Sequence, residues 1–177
     1  MPDTSFRRYN TLMQRGRGFT ILELVLTITL VGVMAAVFLP SFSFDPTRLK
    51  CAQERVAEDI RLAQTLAMTS GQRHGAFFDT ANNRYVVFAN SIVTPINNPA
   101  DPSQQLIVDF TNDASFDGIT MTSAVFGGLA TLLFDAQGVP QDGNGVALTA
   151  NGNVTLSNGS ANRTVTVSPE TGKVSTP

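Results

Sequence analysis

Hydrophobic and polar positions follow three successive regimes along this chain. From Phe19 to Leu39, 21 residues carry a single charge, Glu23. At 1.5 Å per residue, a helix of that length spans roughly 31 Å, about the thickness of a bilayer's hydrocarbon core. From Thr47 to about Thr69, apolar residues recur at steps of three and four. Leu49, Ala52, Val56, Ile60, Ala63 and Ala67 form one stripe of an amphipathic helix. Gln53, Glu54, Glu58, Arg61 and Gln64 fall largely elsewhere and are expected to face water. Between the two helices, Pro40 and Ser41–Phe44 give a break or loosened stretch. Asp45-Pro46 reads as an N-cap followed by proline at the first helical position, and Gly71 as the C-cap.

The third regime is short apolar runs separated by turn residues, which predicts strands. His74–Phe78 and Arg84–Ala89 flank Asp79-Thr80-Ala81-Asn82-Asn83, a hairpin connection by its turn chemistry. Asn90–Gln105 is expected to be a long exposed loop, and Ala136–Gly145 a turn-rich one. Leu106–Phe110, Ile119–Phe126, Leu129–Phe134, Val146–Ala150, Val154–Ser157, Arg163–Ser168 and Lys173–Ser175 are the further expected strands. The order is therefore a long N-terminal helix followed by a β-rich region.

Charge orients the first regime. Arg7, Arg8, Arg15 and Arg17 precede the apolar run against the single acid Asp3. The positive-inside bias leaves residues 1–18 in the cytoplasm and everything after Pro40 on the far side. An ordinary secretory signal fits less well, because Leu39-Pro40-Ser41-Phe42-Ser43-Phe44 offers no small-x-small cleavage site. The conspicuous small residue, Gly18, lies ahead of the run. A cut there removes a basic leader and keeps the apolar helix on the mature protein.

Glu23 stands at the fifth position after Gly18. A carboxylate within a membrane segment costs about 2.5–3.5 kcal/mol at mid-helix and less near an end, where it can reach water. A cut after Gly18 gives it another solution: the new α-amine of Phe19 lies one helical turn away, and the same amine on a neighbouring copy is equally suitable.

Gly18-Phe19-Thr20-Ile21-Leu22-Glu23, the apolar run and Pro40 together resemble the class III signal of type IV pilins and pseudopilins. The resemblance implies cleavage after Gly18 by a membrane prepilin peptidase/methyltransferase, N-methylation of Phe19, and pairing of Glu23 with an N-terminal amine during assembly. It also implies that Pro40 loosens the helix at mature position 22. Later segments resemble the GspH/FimT group of minor subunits: Arg61-Leu62-Ala63-Gln64-Thr65-Leu66-Ala67, Leu133-Phe134-Asp135-Ala136-Gln137-Gly138, and the ending Thr164–Val174.

The fold so implied is α+β and pilin-like, a long N-terminal helix packed on a C-terminal antiparallel β-sheet head. Residues 1–18 would be the removed leader, 19–40 the transmembrane and filament-core helix, and 41–177 the periplasmic head, with its amphipathic helix at about 46–70 and a β-rich region at 74–177. The function implied is a GspH-like minor pseudopilin of a type II secretion system, held in the inner membrane and assembled into a periplasmic pseudopilus. The alternative is a FimT/FimU-like minor pilin serving pilus assembly, adhesion or DNA uptake. Partners would be the peptidase, other pilin or pseudopilin subunits and the inner-membrane assembly platform.

Composition narrows the remaining chemistry. Residues 19–177 hold eight Lys/Arg against 13 Asp/Glu, a net charge near −5 that argues against phosphate binding as the main task. Some FimT-like pilins bind DNA through late basic residues, but residues 74–177 offer only Arg84, Arg163 and Lys173, so DNA is an unfavoured partner. The single cysteine, Cys51, cannot close an intrachain disulfide and is expected to pack as a small apolar side chain. The single histidine, His74, has no nucleophile motif, HExxH, Walker A or GxGxxG beside it, so it reads as structural or surface and the chain as no enzyme. No cofactor is expected, and no metal: Asp135 with Asp142-Gly143-Asn144-Gly145 matches no EF-hand, and the same residues make tight turns.

Overall fold

The computed structural model describes residues 19–38 and 45–177. Gly18 with its leader, Pro40 and the break at Ser41–Phe44 lie outside the described residues. The chain divides into two units at residue 43, and each is described by itself.

The N-terminal unit contains helix α1, Ile21–Phe38. It is apolar on all sides rather than striped, and every described side chain from Phe19 to Met34 is exposed. A helix of that kind has no core of its own to bury. Among the described residues no helix is long and apolar enough to cross a membrane. As described, α1 runs 18 residues, about 27 Å, which is short of a ~30 Å hydrocarbon core. The expected span, Phe19–Leu39, starts two residues earlier and reaches one residue further.

The head begins with α2, Asp45–Ser70. Gly71 ends it in a left-handed conformation, φ +67°, and its N–H closes the last turn on the Ala67 carbonyl at 3.1 Å. The expected stripe is the buried face: Leu49, Ala52, Val56, Ile60, Ala63 and Ala67 are all buried. Its alanines have no side chain beyond Cβ, so the helix can seat closely on the strands.

Eleven strands follow, all paired antiparallel. They are β1 His74–Asp79, β2 Arg84–Ala89, β3 Asn97–Asn98, β4 Asp101–Gln105, β5 Ile107–Asp109, β6 Thr120–Val125, β7 Thr131–Phe134, β8 Pro140–Asp142, β9 Gly152–Ser157, β10 Asn162–Val167 and β11 Val174–Ser175. Five form one sheet in the order β5-β2-β1-β7-β8, four a second sheet in the order β11-β10-β9-β6, and β3-β4 a separate ribbon. Helix α2 packs on strands of both sheets. The core beneath it is built on Phe78, Tyr85, Phe110, Phe126 and Phe134. The rings of Phe126, Phe78, Tyr85, Phe110 and Phe116 make a continuous row, with successive centroids 5.3–5.8 Å apart.

Five expectations need correction. The loop Asn90–Gln105 contains the β3-β4 ribbon, and the loop Ala136–Gly145 contains β8. Val146–Ala150 forms no regular strand. Its first part lies along β8, with Asp142 N–H on the Val146 carbonyl at 2.8 Å and Leu148 N–H on the Pro140 carbonyl at 3.0 Å. Gln53 is buried, not wet, at 1% exposure: its amide donates to the Thr164 carbonyl at 2.8 Å and accepts from Arg163 Nη1 at 3.4 Å, so an amide is tolerated beside the apolar stripe. Cys51 is exposed, because it lies two residues from Leu49, on the side of the helix turned away from the core.

Candidate assembly site

Two regions carry the residues singled out by the sequence, the start of α1 and the seam where α2 meets the late turns of the head.

At the start of α1, Thr20 is the N-cap. Its Oγ1 accepts from Glu23 N–H at 3.2 Å, and its carbonyl accepts from Glu23 N–H at 3.0 Å and Leu24 N–H at 3.1 Å. Thr20-Ile21-Leu22-Glu23 is thus a Thr-x-x-Glu capping sequence, a helix-start signal carried by the sequence itself. It fixes the helix start, so that Glu23 occupies the first turn, where the helix dipole favours a carboxylate. The other polar side chains of α1 satisfy themselves: Thr27 Oγ1 donates to the Leu24 carbonyl at 2.8 Å, and Thr29 Oγ1 to the Val25 carbonyl at 2.9 Å. Glu23 is exposed, and its carboxylate has no partner among the described residues. It is therefore the group in α1 with bonding capacity left over. Phe19 precedes the helix and is exposed.

In the head, three segments that the sequence offers separately come together. The Gln64 amide donates to the Gly138 carbonyl and to the Thr171 carbonyl, each at 3.0 Å. Arg61 Nη2 donates to the Val174 carbonyl at 3.1 Å. The turn that presents Gly138 is held by Asp135, whose Oδ1 accepts from Gln137 N–H at 3.0 Å and Val139 N–H at 2.8 Å. Asp142 does the same for its own turn, accepting from Asn144 N–H at 2.9 Å and Val146 N–H at 3.0 Å. Each carboxylate thus uses its Oδ1 to hold the backbone of its own turn. His74 is buried at the start of β1, with Nδ1 3.1 Å from the Gln72 carbonyl, so that nitrogen carries the proton in a helix-to-strand junction.

A further polar cluster lies between α2 and β2. Tyr85 donates its hydroxyl to Asp59 Oδ2 at 2.6 Å, and Arg55 Nε donates to the same oxygen at 3.0 Å. Asp59 is 6% exposed and Tyr85 1%. Burial pushes the Asp59 carboxyl above its ordinary value, against the Tyr85 hydroxyl and the Arg55 guanidinium, which pull the other way. Burial, with Asp59 beside it, also drives the Tyr85 phenol well up. The sequence reading missed this cluster; Asp59 next to the stripe residue Ile60 was the available sign.

The family described as type II transport protein GspH matches residues 52–172, more than half of the chain. This chain belongs to the GspH family. The match runs from α2 to the turn before β11 and so takes in Gln64, Gly138 and Thr171 of the seam. No curated protein matches the chain. Among solved structures, the type IV minor pilin FimU of Pseudomonas aeruginosa strain PAO1 is similar with a TM-score of 0.51 at 13% identity, over 76% of this chain and 91% of that one. The minor pseudopilin EpsH from the type 2 secretion system of Vibrio cholerae is similar with a TM-score of 0.48 at 14% identity, over 73% of this chain and 96% of that one. At these identities FimU establishes the fold alone: an α+β, pilin-like head. Members of the GspH family are membrane-anchored filament subunits that assemble with other subunits of the pilin class.

Proposed function

We propose that this chain is a minor pseudopilin of a type II secretion system, a structural and non-enzymatic subunit of the periplasmic pseudopilus that drives protein export. The observation that carries this reading is the GspH family match over residues 52–172. The proposed life history uses the N-terminal motif. The Arg-rich leader, residues 1–18, holds the precursor's topology with the N-terminus cytoplasmic, and the prepilin peptidase/methyltransferase cuts after Gly18 and methylates Phe19. The apolar helix from Phe19 to Pro40 stores the subunit in the membrane and then packs in the filament core, with Pro40 loosening its end.

Glu23 sets the axial register. In a low-dielectric filament core an unpaired carboxylate and an unpaired α-amine are both costly, and each relieves the other. The exposed carboxylate in the first turn of α1, which has no partner among the described residues, supports that role. The head supplies contacts to other minor subunits, and the inner-membrane platform supplies the driving motion. Incorporation of a tagged copy into periplasmic pseudopili, made long by overproducing the system's major subunit and then sheared, tests the reading. The wild-type chain is expected in that fraction, and its absence from every sheared filament would refute the proposal.

A further inference from the structure

Among the described residues one edge of the five-stranded sheet, β5, is unpaired, and it faces a groove. The Leu106 carbonyl accepts from Val87 N–H at 3.1 Å, and Phe110 N–H donates to the Asn83 carbonyl at 3.0 Å. Residues 106 and 110 therefore turn peptide groups toward β2. Alternation along the strand sends the N–H and carbonyl of Ile107, and the N–H of Asp109, to the opposite side. The Asp109 carbonyl is already taken by Asp113 N–H at 3.2 Å. A groove of about 660 Å³ runs beside this edge, and Ile107, Val108 and Asp109 all line it. Side chains alternate between the two faces of a strand, so three successive residues lining one groove means that the groove meets β5 edge-on. Its other walls include the amides of Asn98 and Gln104 and the ring of Phe116. Asn98 Oδ1 already accepts from Ala100 N–H and Gln104 Nε2 already donates to Asp101 Oδ2, each at 2.9 Å, so the Asn98 Nδ2 and Gln104 Oε1 ends are the ones suited to bonding a second backbone.

The charge of the groove selects among peptides. Asp109 and Asp113 line it and keep their negative charge, although Oδ1 of each accepts turn N–H groups and Asp109 Oδ2 accepts the Asn112 amide, while Arg55, the cation there, shares its charge with Asp59 through Nε at 3.0 Å. Resting on the filament-subunit reading, we propose that this groove receives an extended, lysine- or arginine-bearing segment of a neighbouring subunit, which adds to β5 as a new edge strand. The edge is three residues long and carries an acid, features that keep isolated heads from pairing indiscriminately. A contact this short is weak alone and is multiplied by the tethering of both partners in one filament.

The test uses the full chain in its native host, with Ile107→Pro and, as control, Ile107→Val. Proline accepts extended backbone geometry and removes the outward N–H, while the bonds toward β2 stay. Ile107→Pro is expected to enter sheared pseudopili about tenfold less than wild type, and Ile107→Val normally. Hydrogen exchange measures the same edge without a variant: the Ile107 and Asp109 amides of the wild-type chain are expected to slow about tenfold or more between detergent-solubilised monomer and filament. If Ile107→Pro fails to fold, the exchange result decides. Asp113→Asn keeps the turn acceptor and removes one charge, and is expected to lower incorporation about twofold; equal incorporation overturns the choice of a basic segment. A wild-type chain that enters filaments with unchanged exchange at both amides, and with Ile107→Pro entering equally, overturns strand addition and leaves the functional reading intact. A wild-type chain absent from filaments overturns both.

Discussion

Gln64 and Gly138 lie 74 positions apart, and the glutamine amide donates to the glycine carbonyl at 3.0 Å while the same nitrogen reaches the Thr171 carbonyl. One side chain thus ties α2 to the turn after β7 and to the terminal hairpin. Gln64→Leu removes both bonds and leaves two carbonyls without this donor, so unfolding free energy should fall by roughly 1–3 kcal/mol. Urea titration of the full chain in detergent measures it; wild-type stability in Gln64→Leu would mean that the seam holds without the amide.

Gly172 is the complementary half of that seam. It sits at φ +64°, and a Cβ there would overlap the Gln64 amide and come within 3.0 Å of the Phe134 ring and 3.1 Å of the Gly138 carbonyl. Gly172→Ala adds left-handed strain to overpacking and should cost about 2–4 kcal/mol. The same titration checks it, and a loss under about 0.5 kcal/mol, the scatter of ordinary surface changes, would contradict the packing described.

Asn83 joins the first hairpin to the second sheet. Its amide donates to the Ile119 carbonyl at 2.8 Å and accepts from Met121 N–H at 2.7 Å, covering the outer edge at the start of β6, and its own backbone is left-handed at φ +52°. Asn83→Gly keeps the backbone and loses the amide, and should cost about 1–3 kcal/mol. Asn83→Ala loses both and should cost about 1–2 kcal/mol more. Thermal unfolding of the pair separates the two contributions; equal stability of the two variants would remove the backbone part.

Acid acts on the head in two opposed directions. Asp79, Asp101 and Asp109 have lowered pKa values: Asn82 hydrogen bonds hold Asp79 down, Ser103 bonds Asp101, and Asn112 bonds Asp109. The stabilisation from these groups is present above the ordinary carboxylate pKa of about 3.9 and is lost as pH falls through their lowered values. Asp59 runs the other way. Its raised value means a contribution that is full below about pH 3.9 and lost as pH rises through the folded-state pKa. Asp59→Asn should therefore cost more stability at pH 3.5 than at pH 7. Chemical denaturation at both values measures the difference, and a larger cost at pH 7 would mean that the ion pair with Arg55 outweighs burial.

The N-terminal proposal makes a separate prediction. Intact-mass analysis should find a mature chain beginning with methylated Phe19, and Glu23→Ala should be inserted and cleaved normally yet enter filaments poorly. Normal incorporation of Glu23→Ala would end the register role.

The helices and most strands were legible because their signals are local. The step of three and four in α2, the glycine at position 71 and the turn residues between β1 and β2 each describe their own neighbourhood. What lay outside the sequence reading depends on distant partners. Gln53 reads as solvent-facing until the Thr164 carbonyl is brought beside it, and Asp59 reads as one more helix acid until Tyr85 closes over it. The β3-β4 ribbon was hidden by its Asn- and Pro-rich composition, which turns and exposed strands share. Arg61–Ala67, Leu133–Gly138 and Thr164–Val174 stood out as separate resemblances, and the Gln64 and Arg61 bonds give the physical reason that they occur together.

A clean deletion in the native host, with proteins in the culture supernatant profiled and sheared surface pili counted, is the most direct test of the secretion role. The expected result is loss of exported proteins with surface pili intact, restored by the wild-type chain. Undiminished export together with loss of pili or of twitching would contradict it and move the chain to the minor pilins.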